Sequence, residues 1–340
     1  CRCCSASSPW GRGAHWMADA EGGEVSWAAK AWGRFAAANH KTGPVTEGST
    51  PMATITKIAP SAQPNAGTVH WLNQCVERGK TEVFSEVVTV SPGLAAELLR
   101  RNDGNRSVRQ TKAEQYAIDM REGRWAFNGE PIIISVDGKL NDGQHRLQAV
   151  IDANICVVFL LVFGLSRESR ETVDQGAARG ASDYLGMGGL PNATTAAGIA
   201  RLVLAYEQAE GQSAESKLIT NASVVERVRA DSGISTSAHF AVTTGRGGRN
   251  YVAGVVIGFC HYLFTQIDAD DANEFLTQVC TGQRLNAGSP ALAVRERLLA
   301  EGKSRQPKIA IIFRGWNFYR RRMKVRNTSL PKTLPFPALV

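Results

Sequence analysis

Five consecutive residues, Asp142-Gly143-Gln144-His145-Arg146, concentrate the chemically useful groups of this chain. Gly143 frees the backbone for a sharp turn and lets a ligand approach closely. If a helix starts there, its first turn offers N–H groups with no internal acceptor, and the helix dipole favours an anion such as phosphate at that end. Arg146 has the geometry of a bidentate phosphate ligand, with a surface salt bridge as its plain alternative. His145 could donate to a phosphate or act as acid or base near neutral pH. Gln144 would orient a phosphate or a base edge through its amide. Asp142 could hold a divalent metal, act in catalysis beside His145, or merely cap the helix.

The flanking residues supply the elements that must hold these groups. Within residues 130–150 the chain reads as an apolar strand, a tight turn, a short second strand and then an abrupt entry into a helix. The apolar positions after Arg146 then change to a helical spacing. One strand (155–163) and a short charged helix (166–173) later comes Asp174-Gln175-Gly176-Ala177-Ala178-Arg179. Arg179 could reach phosphate from there and Asp174 a metal, or the two could pair with each other. On the upstream side, alternation over 82–90 predicts a half-buried strand. Ser91-Pro92 opens a helix, and residues 100–106 form a polar loop. Thr111 and Glu114 give the spacing of a capping box at the start of the next helix, which closes near Gly123. Trp125 and Phe127 are placed to pack that helix onto the sheet. Asn105, Arg106 and Arg109 precede it and could add a third phosphate-facing edge.

From residue 194 onward only helical patterns are readable, at 194–210, 217–230, 250–267, 269–281, 290–300 and 306–325. The expected fold class is therefore α+β, a mixed α/β domain over 71–190 followed by an all-helical domain over 191–340. Residues 1–70 read differently. They carry four of the seven tryptophans with no matching core pattern, and the texture changes at Met52. They are expected to be disordered, or over-translated upstream of a true start at Met52. The Cys1-Arg2-Cys3-Cys4 group lacks a second ligand pair at zinc spacing.

The composition, 43% hydrophobic and 21% charged over 340 residues, is that of a globular protein. The longest apolar run is strand length, which excludes a helical membrane span. Seven scattered or N-terminal cysteines fit a reduced, cytoplasmic setting. The net charge of +8 is local: residues 303–340 hold ten Lys and Arg and no Asp or Glu, leaving the rest at −2. Ile309, Ile312, Phe313, Trp316 and Tyr319 share one helical face, while Arg314, Arg320, Arg321, Arg322, Lys324 and Arg326 crowd the others and the end. These cations either complement the helix dipole or contact nucleic acid.

The strand–turn–strand–DGQHR–helix pattern resembles the ParB/sulfiredoxin superfamily, specifically its DGQHR-type branch, over about residues 82–185. The resemblance implies a nucleotide whose phosphates lie on residues 143–146. ParB proteins carry GERR-like residues there and hydrolyse CTP while clamping DNA; sulfiredoxins carry GGCHR, and free-serine kinases of the fold carry DGHHR. Gln144 stands where sulfiredoxin has its cysteine. An amide is no nucleophile, so sulfinic-acid reduction is excluded. No helix-turn-helix reads clearly, although residues 221–235 could supply one helix of such a pair.

The resemblance thus implies a phage- or plasmid-type ParB-like protein that binds ATP or CTP with Mg²⁺ and associates with DNA, with hydrolysis and homodimerisation left open. Its phosphate ligands would be Gly143, Gln144, His145, Arg146, Arg179 and Arg106. Asp142 and Asp174 would serve the metal, and His145 with Asp142 the catalysis. A non-enzymatic DNA-binding regulator is the first alternative. A ParB-like nuclease is the second, with no clustered carboxylates to support it.

Overall fold

The computed structural model describes residues 67–171, 179–216, 218–248, 251–325, 329–333 and 335–340. The α/β part is built on a four-stranded sheet ordered β1-β4-β2-β3, from β1 (Phe84–Val90), β2 (Pro131–Ser135), β3 (Leu140–Asp142) and β4 (Val157–Leu165). β1 runs antiparallel to β4, β2 parallel to β4, and β3 antiparallel to β2 with a bulge after Ile133. Ile132, Ile133 and Ile134 are all buried. β2 is an inner strand covered on both faces, which is why it reads as an unbroken apolar run.

Four helices cover this sheet: α1 (Val69–Gly79), α2 (Pro92–Arg100), α3 (Gln110–Arg121) and α4 (Gln144–Ala153). Thr68 and Ser91 cap α1 and α2, their hydroxyls accepting from Trp71 N (3.1 Å) and Leu94 N (3.2 Å). The predicted capping box at Thr111 does not form. Arg109 is the N-cap of α3, its side chain makes no cap bond, and Thr111 falls inside the first turn. Trp71 meets Phe163 edge-on (6.0 Å), and Trp125 bridges Tyr116 (5.1 Å) and Phe159 (6.0 Å). Trp125 therefore packs α3 onto β4, as its position after the helix suggests. Each such ring buries roughly 150–250 Å².

After β4 comes a 3₁₀ turn (Arg167–Glu171), and beyond residue 180 every element among the described residues is helical: α5 (Ala181–Met187), α6 (Ala193–Gln208), α7 (Asn221–Ala230), α8 (Ser232–Thr243), a 3₁₀ turn (Thr244–Gly248), α9 (Gly254–Thr265), α10 (Ala269–Thr281), α11 (Pro290–Leu299) and α12 (Arg305–Arg320). α5 packs on α6 and α7. α9 is buried from Val256 to Phe264 and forms the axis of the second core. Around it Phe264 stacks on Trp316 (4.3 Å), and Phe259 and Phe313 both meet Tyr206 edge-on (5.7 and 5.8 Å). The apolar face predicted for the last helix is the one that enters this core.

The two parts are joined by polar contacts. Asp119 Oδ1 on α3 accepts from Arg124 Nε (2.9 Å) and from the Thr220 hydroxyl at the head of α7 (2.7 Å). No described helix is long and apolar enough to cross a membrane.

Candidate functional site

Gly143 is the N-cap of α4 in a left-handed conformation, φ 105° and ψ 1°. A Cβ there would lie 2.9 Å from Ile132 Cγ1 and 3.3 Å from Ile132 Cα, so β2 leaves room for glycine alone. The first bond of α4 is Leu147 N–H to the Gly143 carbonyl (3.0 Å). The N–H groups of Gln144, His145 and Arg146 have no acceptor among the described residues, as expected of an uncapped first turn.

His145 brings a second helix start to the same place. Its Nε2 accepts the backbone N–H of Arg109, the N-cap residue of α3, at 3.0 Å. The first turns of α3 and α4 thus meet within one side chain's length. Accepting at Nε2 assigns a neutral ring with its proton on Nδ1. Burial lowers the His145 pKa, the cations of Arg106, Arg109 and Lys112 lower it further, and Asp142 opposes them. Arg106, Arg109 and Lys112 are exposed. The guanidinium groups of Arg106 and Arg109 meet no acceptor among the described residues, while Lys112 lies over the Tyr116 ring (4.5 Å). Two helix starts and the exposed cations of Arg106, Arg109 and Lys112 thus lie near His145, an arrangement suited to a polyanion.

Arg146 does not point there. Its side chain is only 8% exposed; Nη1 donates to the Glu130 carbonyl (2.9 Å) and Nη2 to the Pro131 carbonyl (2.9 Å) and Asp142 Oδ2 (2.8 Å). Its donors clamp the start of β2 to α4, so the reading of Arg146 as a phosphate ligand gives way to an internal one. Asp142 neither caps α4 nor stands free, since one oxygen is committed to Arg146. The His145 lone pair is likewise committed to Arg109. As arranged here, His145 can donate through Nδ1 but is not a free general base.

Gln144 is buried (6% exposed) and accepts from Asn102 Nδ2 at 3.0 Å. Behind it lies a network that the sequence reading missed. Asn105 Nδ2 donates to Asn102 Oδ1 (2.6 Å) and to the Leu140 carbonyl (2.7 Å), while Arg170 Nη1 donates to Asn105 Oδ1 (3.3 Å) and to the Gly104 carbonyl (3.0 Å). Arg167 Nη1 donates to the Leu140 carbonyl (3.0 Å) and Asn141 Oδ1 (2.9 Å). The 3₁₀ turn after β4 thus pins the 101–109 loop beside α4. The density of Asn and Arg in the 100–106 loop and of Arg after β4 was the available signal.

Arg179 is exposed and lies beside the start of α7, where Asn221 Nδ2 approaches its carbonyl (3.4 Å). No contact among the described residues links it to residues 142–146. Asp174 and Arg326, like residues 1–66, lie outside the described residues. Among the described residues no three His, Cys, Asp or Glu side chains group as a metal site.

The basic end of α12 is largely committed as well. Arg320 Nη1 donates to Asp268 Oδ2 (2.9 Å) and contacts Asp271, and Arg322 Nη2 donates to Asp271 Oδ1 (3.0 Å). Arg314 Nη2 donates to the Thr333 carbonyl (2.7 Å), and Asn317 Nδ2 to the Ala338 carbonyl (2.6 Å), where the C-terminal residues cross the helix. Arg314 and Arg320 are thus engaged within the fold, whereas the Arg322 side chain stays 67% exposed beside Asp271. Arg321 and Lys324 are exposed and have no ion pair among the described residues.

No protein-family model, curated protein or solved structure matches this chain, so the likeness to the ParB/sulfiredoxin superfamily rests on the DGQHR residues and their strand–turn–strand–helix setting.

Proposed function

We propose that this chain binds the phosphate groups of a nucleoside triphosphate, ATP or CTP, where α3 and α4 begin, and that it associates with DNA. The observation that carries this reading is the convergence of two uncapped helix starts with exposed Arg106, Arg109 and Lys112. The backbone N–H groups of residues 144–146 would receive one phosphate, and Arg106 and Arg109 the next. Mg²⁺ would enter with the nucleotide and be held mainly by phosphate oxygens, with Asp142 as a nearby carboxylate; one or two carboxylates suffice for a nucleotide-borne Mg²⁺. Association with DNA would use the same exposed cations, with Arg321 and Lys324 as a second set.

Calorimetric titration with ATP, CTP and GTP, with and without Mg²⁺ and duplex DNA, tests the reading. Replacing Arg106 and Arg109 together by Ala is expected to weaken nucleotide binding by about 10- to 100-fold, the worth of one or two charge-assisted hydrogen bonds. It should leave the melting temperature in place, since neither side chain is packed. Affinity should also fall as salt rises. Binding unaffected by both the substitutions and salt would sink the proposal. Duplex binding that survives in a variant unable to bind any nucleotide favours the non-enzymatic regulator.

A further inference from the structure

A carboxamide is ambiguous, because either end can face a neighbour, and its orientation must be imposed by groups whose polarity is fixed. Two such groups lie behind Gln144. The Leu140 carbonyl can only accept, and it takes the Asn105 Nδ2–H at 2.7 Å. The Arg170 guanidinium can only donate, and it faces Asn105 Oδ1 at 3.3 Å. Asn105 is thereby held one way round. Its Nδ2 also donates to Asn102 Oδ1 (2.6 Å), which turns Asn102 Nδ2 toward Gln144. Asn102 Nδ2 then donates to Gln144 Oε1 (3.0 Å).

The last amide in the row has one end left. Gln144 is 6% exposed, yet its Nε2 has no acceptor among the described residues and is not one of the buried atoms sealed without a partner. It occupies the first position of α4, beside the unpaired N–H groups of that turn. A mostly buried amide whose oxygen is taken and whose nitrogen is not carries unspent donor capacity.

We infer that Asn102, Asn105 and Arg170 form a polarity relay that fixes Gln144 with its Nε2–H₂ outward, as a donor dedicated to an oxygen of the bound ligand. The inference rests on the phosphate reading of the site and adds what sets its selectivity. Gln144 Nε2 and the unpaired N–H groups of the first turn of α4 are all donors, so that turn accepts a phosphate or another acceptor-rich group and rejects a ligand that offers an N–H or O–H to it. Asn102 is a positioning residue, acting on the ligand through Gln144.

A double-mutant cycle with inorganic triphosphate as the probe tests this on the full chain. Asn102→Leu removes the relay without adding charge and should weaken triphosphate binding about fivefold; Gln144→Met removes the donor and should weaken it about tenfold. The double variant should bind no more weakly than Gln144→Met alone, because Asn102 then has nothing to orient. Additive losses would overturn the relay. A second readout needs only the wild type and Gln144→Met, and decides the matter if Asn102→Leu does not fold. The side-chain ¹⁵N–¹H₂ pair that disappears in Gln144→Met should shift when triphosphate is added to the wild type. A pair that stays put while triphosphate binds overturns the relay and leaves the phosphate site standing. A wild type that binds no triphosphate overturns both.

Discussion

Replacing Arg146 by Ala separates the two roles its position allows. The guanidinium is nearly enclosed and holds two carbonyls at 2.9 Å and one carboxylate oxygen at 2.8 Å. Truncation leaves Asp142 half-buried beside an empty space and strips two main-chain acceptors of their donors. Breaking a buried charge pair from one side costs about 3–5 kcal/mol, most of it the uncompensated partner. That is a large share of the roughly 5–15 kcal/mol that stabilises an ordinary domain. Arg146→Lys should recover little, because a single ammonium cannot span both carbonyls and the carboxylate. Urea unfolding followed by circular dichroism gives the difference, with Arg109→Ala as the exposed control that should change stability little. If Arg146→Ala unfolds within about 0.5 kcal/mol of the wild type while nucleotide affinity disappears, the clamp is wrong and Arg146 is a ligand.

Gly143→Ala combines a left-handed φ of 105° with a Cβ 2.9 Å from Ile132 Cγ1. It should cost about 2–4 kcal/mol in the same unfolding assay; a neutral result would mean that β2 yields more easily than its packing implies. The histidines set the acid limb of stability. Burial lowers the pKa of His145 and of His261, whose ring is stacked on Phe240 (4.1 Å) with Nδ1 bonded to Ser237 Oγ (2.9 Å) and Nε2 to Asn273 Oδ1 (3.1 Å). The unfolded chain takes up these protons near the ordinary histidine value of 6.5, whereas the folded chain resists until lower pH. The stabilisation is therefore fully present above about pH 6.5 and is lost as pH falls below it, by at most about 1.4 kcal/mol per unit for each histidine. Unfolding midpoints at several pH values between 7.5 and 5 should show this slope, reduced in His261→Gln; a flat profile would contradict the buried neutral ring.

Much of the architecture was legible because it is written in local periods. The Ile132-Ile133-Ile134 run reads as an apolar strand, and the tight turn and short strand after it bring Gly143 to a helix start. The helix over 269–281 has the predicted limits, with Asp268 as its cap (3.0 Å to Asp271 N–H). α8 was not legible. Ser232, Gly233, Ser235, Thr236 and Ser237 are weak helix formers, and it is the burial of Ile234, Ala238 and Ala241 that holds them helical. Thr111 illustrates the opposite error, a capping pattern present in sequence while the helix starts two residues earlier, at Arg109, whose N–H is bonded to His145.

The sequence by itself determined the kind of site this chain holds: a glycine-led helix entry between a short strand and an amphipathic helix, because a missing Cβ, an apolar run and a helical spacing are local properties. Only the tertiary structure decided which charges serve it. Arg146, Arg314 and Arg320 look like free cations in a linear chain, yet each meets carbonyls or carboxylates once folded, and a guanidinium that loses water must spend its donors on whatever surrounds it. Arg106, Arg109 and Lys112 meet no such carboxylate among the described residues, so the folded surface leaves their charge facing solvent at the junction of α3 and α4. The orientation of Gln144 lies further still from the sequence, since it is set by a carbonyl and a guanidinium on two other elements, relayed through two asparagines.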